Sequence, residues 1–269
     1  MHNPASPMWT EIVQLIFQVA FWTLIGILSL LTYRKAKKTL LQPMRAEVFK
    51  AQIQLLQELL AHFVGKGEID LRECLGFDDL LQANAFSMFD QYAQLFFDVE
   101  LDRDERPYSS KQCPMKIVSE EYMIKNDSFY DRDKISESNE NSDQCDSRVR
   151  AANWLNYTHG CIHLPKQYTE TTAKLEHLMQ SPLMPANLLK YIEEYLKLVQ
   201  ENVTEIELVL TLAAKEMPSK YTTYEQLKQS SMVWVHNLYN DHFRHLEPVA
   251  AKIVNAVREY YCPDKLLDG

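Results

Sequence analysis

Two groups of histidines could bind a metal ion. His242 and His245 are three positions apart in a predicted helix that ends at Leu246, so both would lie on its core-facing side. Imidazoles at this spacing share metal ions inside helical bundles. The HGCIH sequence at residues 159–163 would supply a third ligand from a loop. No ExxH or HExxH pattern accompanies either group, and histidines on apolar faces are more often hydrogen-bonded core residues. The metal site is therefore an alternative interpretation.

The sequence lacks the common motifs for nucleophilic and nucleotide chemistry. There is no GxSxG sequence, and the six glycines form neither GxGxxG nor GxxxxGK[ST]. The five cysteines form no CxxC pair, and an inert thiol is the better interpretation of Cys161, which lies between two histidines. We therefore expect a protein that is not an enzyme and that needs no cofactor.

The negative charge is concentrated in one segment. The chain has a net charge of −9, of which residues 98–147 carry −7, so the remaining residues together carry −2. No stripe of basic residues with interleaved aromatic residues is present. Direct binding to nucleic acid is therefore not expected, because such binding depends on neutralising phosphates.

The apolar stretch near the N-terminus has the length of a membrane span. Ile12 to Leu31 comprises twenty residues without a charge, and a helix of that length extends ~30 Å, the thickness of the hydrocarbon core of a bilayer. A secretory signal would carry positive charge before its apolar run, but no Lys or Arg precedes this stretch. The four basic residues that follow it determine the topology: Arg34, Lys35, Lys37 and Lys38. The positive-inside rule predicts an inner (plasma) membrane protein with its N-terminus outside and its C-terminal domain in the cytoplasm.

One face of the predicted span is polar. At 100° per residue, two glutamines, a serine and a threonine share a narrow arc, with a tryptophan and a glycine at its edge: Gln14, Gln18, Ser29, Thr32, Trp22 and Gly26. Amides that face lipid are costly, whereas amides that face another helix can form hydrogen bonds. The stripe therefore favours self-association, or a partner helix, within the lipid bilayer. The alternative is that isolated polar residues are tolerated near the ends of a span.

The remaining sequence predicts an all-α protein, in which a single transmembrane helix precedes a cytoplasmic helical bundle with a polar, acidic insertion. We divide the chain into a short external tail (1–11), the transmembrane helix (12–33), juxtamembrane helices (34–101), the insertion (102–147) and the bundle (148–269). The insertion lacks periodicity and has few aliphatic residues, so it is either a flexible segment or a loop that becomes ordered on a partner.

Apolar periodicity predicts the individual helices. One amphipathic helix follows Pro43 and stops at Gly65, and a second covers 77–97. A long helix begins at Ala186 and ends before Pro218. Its apolar seam recurs at steps of three and four: Leu188, Ile192, Tyr195, Val199, Val203, Ile206, Leu210 and Ala213. Two further helices are predicted, one from Thr222 to Leu246 and one after Pro248.

The N-terminal sequence WTEIVQLIFQVAFWTLIGILSLLTYRKAKK, followed by helical segments without enzyme motifs, resembles the small membrane effectors that are encoded beside bacterial anti-phage systems, including retrons. Retron effectors of this kind are expected to carry two spans, whereas this chain has one clear span. The resemblance implies that a partner complex, a cytoplasmic protein or ribonucleoprotein, holds the protein inactive. Disturbance of that partner during infection would release the protein to damage the inner membrane and stop growth.

Three hypotheses follow. The leading one is a non-enzymatic, single-pass effector whose span self-associates to compromise the membrane. The second is a membrane-tethered scaffold or receptor that binds a cytoplasmic partner and never perturbs the bilayer. The third is a metal-dependent helical-bundle enzyme built on His242 and His245.

Overall fold

A computed structural model describes residues 7–99, 101, 109–119 and 150–261. Its helices are α1 (Pro7–Ala61), α2 (Glu68–Leu75), α3 (Phe77–Phe97), α4 (Lys166–Met179), α5 (Ala186–Lys220), α6 (Tyr224–Lys228), α7 (Val233–His242) and α8 (Glu247–Tyr261). Residues 150–155 are also helical. A 3₁₀ helix (Ser110–Gln112) precedes strand β1 (Met115–Val118), which pairs with β2 (Cys161–Leu164). The chain divides into two compact units, Met1–Leu55 and Leu56–Gly269.

The described part of the first unit is helical throughout. Helix α1 continues through Pro43, where the sequence predicted an interruption. A proline removes the hydrogen bond that an N–H at this position would donate to the carbonyl of Thr39. No glycine occurs between Gly26 and Gly65, so the residues on both sides of Pro43 favour the helix. The predicted transmembrane segment and the predicted helix after Pro43 therefore form one continuous element.

The end of α1 belongs to the core of the second unit. Leu56, Leu59 and Phe63 are buried, and the Phe63 ring contacts the ring of Tyr195 edge-on, with centroids 5.0 Å apart. Helical periodicity places Val48 and Phe49 on the same apolar face, but both side chains are about half exposed. Apolar periodicity thus located the face correctly, whereas its burial begins only at Leu56.

Helix α5 is the central element of the second unit. It contacts α3, α4, α7, α8 and β2, and all eight residues of its predicted seam are buried. The prediction that the helix ends before Pro218 is wrong, because α5 continues to Lys220. Pro218 has no N–H for the carbonyl of Ala214, but the indole nitrogen of Trp154 donates to that carbonyl at 2.7 Å. A side chain from another segment thus replaces the missing bond of the helix.

The described residues are mostly helical, as predicted, but they also form a two-stranded antiparallel sheet that the all-α prediction did not include. Strand β1 lies inside the predicted insertion, whose residues 102–108 and 120–147 fall outside the described residues. The carbonyl of Gly160 accepts a hydrogen bond from the N–H of Ser119. Hydrogen-bonded and non-hydrogen-bonded residue pairs alternate along an antiparallel ladder, so the N–H and carbonyl of His163 point away from β1. There the buried amide of Asn84 accepts from the His163 N–H at 2.7 Å and donates to its carbonyl at 2.9 Å. One side chain of α3 therefore satisfies both backbone groups of His163 on the edge of β2 that faces away from β1.

Candidate functional site

The candidate functional surface is the apolar part of α1. Within the described residues, one helix is long and apolar enough to cross a membrane, and its most apolar 18-residue window has a mean hydropathy of 2.1. None of that window is buried, and between Ile12 and Leu31 every side chain is exposed except Ile25, which is half-buried. A core helix of a soluble protein would bury these side chains. The surface therefore requires an apolar environment that the described part of the chain does not supply.

The polar stripe contains two kinds of group. The hydroxyl of Thr32 donates to the carbonyl of Leu28 at 2.7 Å, so its own helix satisfies it. The side-chain amides of Gln14 and Gln18 have no hydrogen-bond partner among the described residues. Gln18 lies about 5 Å along the helix axis from the centre of the Ile12–Leu31 stretch, and Gln14 lies about 11 Å from it. Of the two amides without a partner, that of Gln18 therefore lies deeper within the apolar stretch.

A shallow apolar groove runs beside the polar stripe. It is lined by Val19, Trp22, Thr23, Gly26, Ile27 and Leu30. A Cβ atom added at Gly26 would meet nothing within 4 Å, and the hydroxyl of Thr23 donates to the carbonyls of Val19 and Ala20. The centre of the groove lies about 110° around the helix from Gln18. Trp22 and Gly26 are shared by the groove and the stripe, so a second helix in contact with these two residues would reach both surfaces.

The basic residues after the apolar stretch remain on α1. Arg34, Lys35 and Lys37 are exposed, and none of them forms an ion pair with a described residue. Lys38 lies on the same helix. This leaves a positive flank at one end of the apolar surface, where anionic lipid headgroups would attract it.

The predicted metal ligands are not on one helix face. The prediction that their helix continues to Leu246 is wrong, because α7 ends at His242. The side chain of the buried Asn202 accepts from the backbone N–H of Arg244 at 2.8 Å and donates to its carbonyl at 2.9 Å, which holds the chain after α7 away from helical pairing. His242 Nδ1 lies 3.8 Å from Glu205 and His245 Nδ1 lies 3.8 Å from Glu68. Two different carboxylates therefore contact the two imidazoles.

The described residues contain no group of three or more His, Cys, Asp or Glu side chains arranged to hold a metal. In the HGCIH segment, His159 is buried and its Nδ1 lies 2.8 Å from the hydroxyl of Tyr157. Burial, with a smaller effect from the charge of His163, lowers the pKa of His159 to about 3. Burial also raises the pKa of the Cys161 thiol, which lies 3.9 Å from His163 Nε2. A neutral imidazole and a neutral thiol agree with the interpretation of Cys161 as inert.

The structure also forms a polar cavity that the sequence did not predict. Arg72 lines it and donates to Oδ1 of Asn240 at 2.9 Å, lies 3.6 Å from Asp78, and stacks on the ring of Phe243 at 4.4 Å. His236 also lines the cavity, and burial lowers its pKa. These residues come from α2, α3 and α7, so no local spacing in the sequence could have brought them together.

The structure places the six predicted association residues on α1, and it places each of the two predicted metal ligands beside a different carboxylate. No protein family, curated protein or solved structure matches the chain.

Proposed function

We propose that this protein is a non-enzymatic, single-pass membrane effector whose span self-associates and compromises the bacterial inner membrane in anti-phage defence. One observation carries the proposal: the apolar part of α1 is unburied, and two of its glutamine amides have no hydrogen-bond partner among the described residues, one of them near the middle of the apolar stretch. The defence role comes from the architectural resemblance. The second unit is then the part that a cytoplasmic protein or ribonucleoprotein partner binds to hold the effector inactive.

Lipid covers the exposed apolar surface in this proposal. The thirteen Ile, Leu, Val and Phe residues between Ile12 and Leu31 contribute about −4 to −8 kcal/mol to insertion, before the polar side chains reduce that value. The positive flank from Arg34 to Lys38 remains on the cytoplasmic side, where the negative surface potential of the membrane attracts it.

A second copy satisfies the amides of the stripe. A glutamine side chain both donates and accepts, so Gln18 of one copy can pair with Gln18 of another, and each such bond contributes roughly 0.6–2 kcal/mol within a membrane. The absence of a side chain at Gly26 allows two backbones to approach closely. Assemblies that turn their polar stripes towards one another would bring polar groups and water into the bilayer and so permit ion leakage.

The experiment measures membrane potential and growth in bacteria that express the full-length chain, the Gln14→Leu/Gln18→Leu double variant, and a chain that starts at Thr39. Thr23→Val is a matched control, because its hydroxyl is already bonded within α1. We expect depolarisation and growth arrest with the full chain and with Thr23→Val. We expect neither with the double variant or the truncated chain.

Three results would contradict the proposal. A normal potential with all four chains at matched expression would favour the membrane-tethered scaffold or receptor, which never perturbs the bilayer. Equal depolarisation by the double variant and the full chain would show that the polar stripe does not mediate the association that compromises the membrane. Activity that persists in the chain starting at Thr39 would instead favour an enzyme in the second unit.

A further inference from the structure

Lys66 and Cys74 place an amine beside a thiol in the second unit. Lys66 lies between Gly65 and Gly67 in the turn that joins α1 to α2, and Cys74 lies in the last turn of α2. Nζ of Lys66 donates to Sγ of Cys74 at 3.1 Å, and both side chains are half-buried. Among the described residues, no carboxylate forms an ion pair with Lys66. The lysine nitrogen is therefore held close to the sulfur without a competing anion.

The surroundings of Cys161 differ from those of Cys74. The Sγ atom of Cys161 contacts an imidazole nitrogen, His163 Nε2, at 3.9 Å, which is weaker than the Lys66 contact. Amines attack oxidised sulfur, as the reaction of sulfenic acids with backbone nitrogen shows. The Lys66 and Cys74 pair thus combines an oxidisable atom with a nucleophile that could trap its oxidised form.

We propose that peroxide oxidation joins Lys66 to Cys74 through a sulfur–nitrogen bond. In the first step the thiolate sulfur attacks one oxygen of hydrogen peroxide, the O–O bond breaks, and the departing hydroxide takes a proton and leaves as water. Cys74 then carries a sulfenic acid. In the second step the neutral amine attacks the sulfur, the S–O bond breaks, and the hydroxide takes the proton lost by nitrogen. One thiol, one amine and one peroxide give one sulfenamide and two waters.

Proximity favours this product over further oxidation. A reaction between groups already held together corresponds to a very high effective concentration of the amine. The four-carbon stem of lysine is flexible, and the flanking Gly65 has φ +74°, which only a residue without Cβ adopts readily. The turn can therefore adjust as the 3.1 Å contact shortens to a covalent bond. The bond would fasten the turn after α1 to the last turn of α2 and would make this segment responsive to oxidants.

The test treats the purified full-length chain, in detergent, with hydrogen peroxide in mildly alkaline buffer. Mass spectrometry of protease digests then searches for the linked peptides that contain Lys66 and Cys74. Their mass should be two hydrogen atoms below the sum of the two unmodified peptides. Lys66→Arg retains the positive charge but removes the amine nucleophile, and Cys74→Ser removes the sulfur. Cys161→Ser is the matched control. Dimedone, which alkylates sulfenic acids, reports the first step separately, and circular dichroism checks that each variant is folded.

We expect the cross-linked peptide in the wild type and in Cys161→Ser, and its loss in both Lys66→Arg and Cys74→Ser. In Lys66→Arg, dimedone labelling of Cys74 should increase severalfold, because no amine consumes the sulfenic acid. The proposal is overturned if wild-type Cys74 is labelled by dimedone or oxidised to sulfinic acid without a cross-link. It is also overturned if Cys74 resists peroxide, or if the linked peptides carry an additional oxygen atom. None of these results bears on membrane depolarisation, so this inference and the proposed function fail independently.

Discussion

Trp154→Phe should destabilise the second unit mainly because it leaves one buried carbonyl without a partner. In the wild type, the indole N–H donates to the carbonyl of Ala214 at 2.7 Å, and both residues are buried. Pro218 is four residues later, where an ordinary residue would donate to the same carbonyl. Phenylalanine keeps an aromatic ring beside Tyr157, which stacks on Trp154 with centroids 4.5 Å apart. It cannot supply the donor.

Two effects contribute to the expected change in stability. An unsatisfied buried carbonyl costs about 1–3 kcal/mol. Replacement of the indole by the smaller ring adds a packing loss of roughly 1 kcal/mol. We therefore expect Trp154→Phe to lower the free energy of unfolding by about 2–4 kcal/mol. The two contributions can be separated, because only the first depends on the absence of an N–H at Pro218.

A double-mutant cycle with Pro218→Ala isolates the hydrogen bond. Alanine at this position restores the N–H, which then donates to the carbonyl of Ala214 whether or not Trp154 is present. Trp154→Phe should accordingly cost about 1–3 kcal/mol less in the Pro218→Ala background than in the wild type. Urea unfolding of the full chain in detergent, followed by near-ultraviolet circular dichroism, measures each free energy of unfolding. Asn187→Ala, an exposed substitution on α5, is the control and should be additive with Trp154→Phe.

The reasoning would be refuted if Trp154→Phe cost the same in both backgrounds to within about 0.5 kcal/mol, the usual limit of additivity. The indole would then contribute only its packing, and the helix would tolerate Pro218 for another reason. Loss of the C-terminal turn of α5 in the wild type, seen as rapid amide exchange at Ser219 and Lys220, would contradict the structural premise.

Three further predictions use the same unfolding assay. Asn84→Ala should cost about 2–4 kcal/mol because the second edge of β2 loses both bonds to the Asn84 amide; an unchanged urea midpoint would contradict this. Gly76→Ala should cost about 1–3 kcal/mol and more than Gly65→Ala: both glycines have positive φ, but only at Gly76 would a Cβ approach Gln167, at 3.3 Å. The pKa of His159 is lowered in the folded state, so the unfolded chain binds more protons below pH 6.5. Stability should therefore fall as pH decreases from 6.5 towards 3, and His159→Phe should flatten that slope; an unchanged slope would exclude His159 as its cause.

The sequence by itself determined the features that depend on local periodicity. The apolar stretch from Ile12 to Leu31 indicated a span by its length and lack of charge, and the structure leaves it unburied. The seam from Leu188 to Ala213 predicted which side of α5 would be buried, because side chains three and four positions apart share a helix face. The polar stripe was visible for the same reason, although periodicity could not distinguish Thr32, which its own helix satisfies, from Gln18.

The tertiary structure decided the features that depend on contacts between distant residues. Asn202 pairs with the backbone of Arg244, 42 residues away, just after α7 ends at His242, so His242 and His245 do not share one helix. Trp154, 60 residues before Ala214, donates the hydrogen bond to the Ala214 carbonyl that Pro218 of α5 cannot donate. Asn84 completes an edge of β2 from 79 residues away. In each case a buried side chain satisfies a backbone group that local pairing leaves unmet, and such a bond has no periodic signature in the sequence.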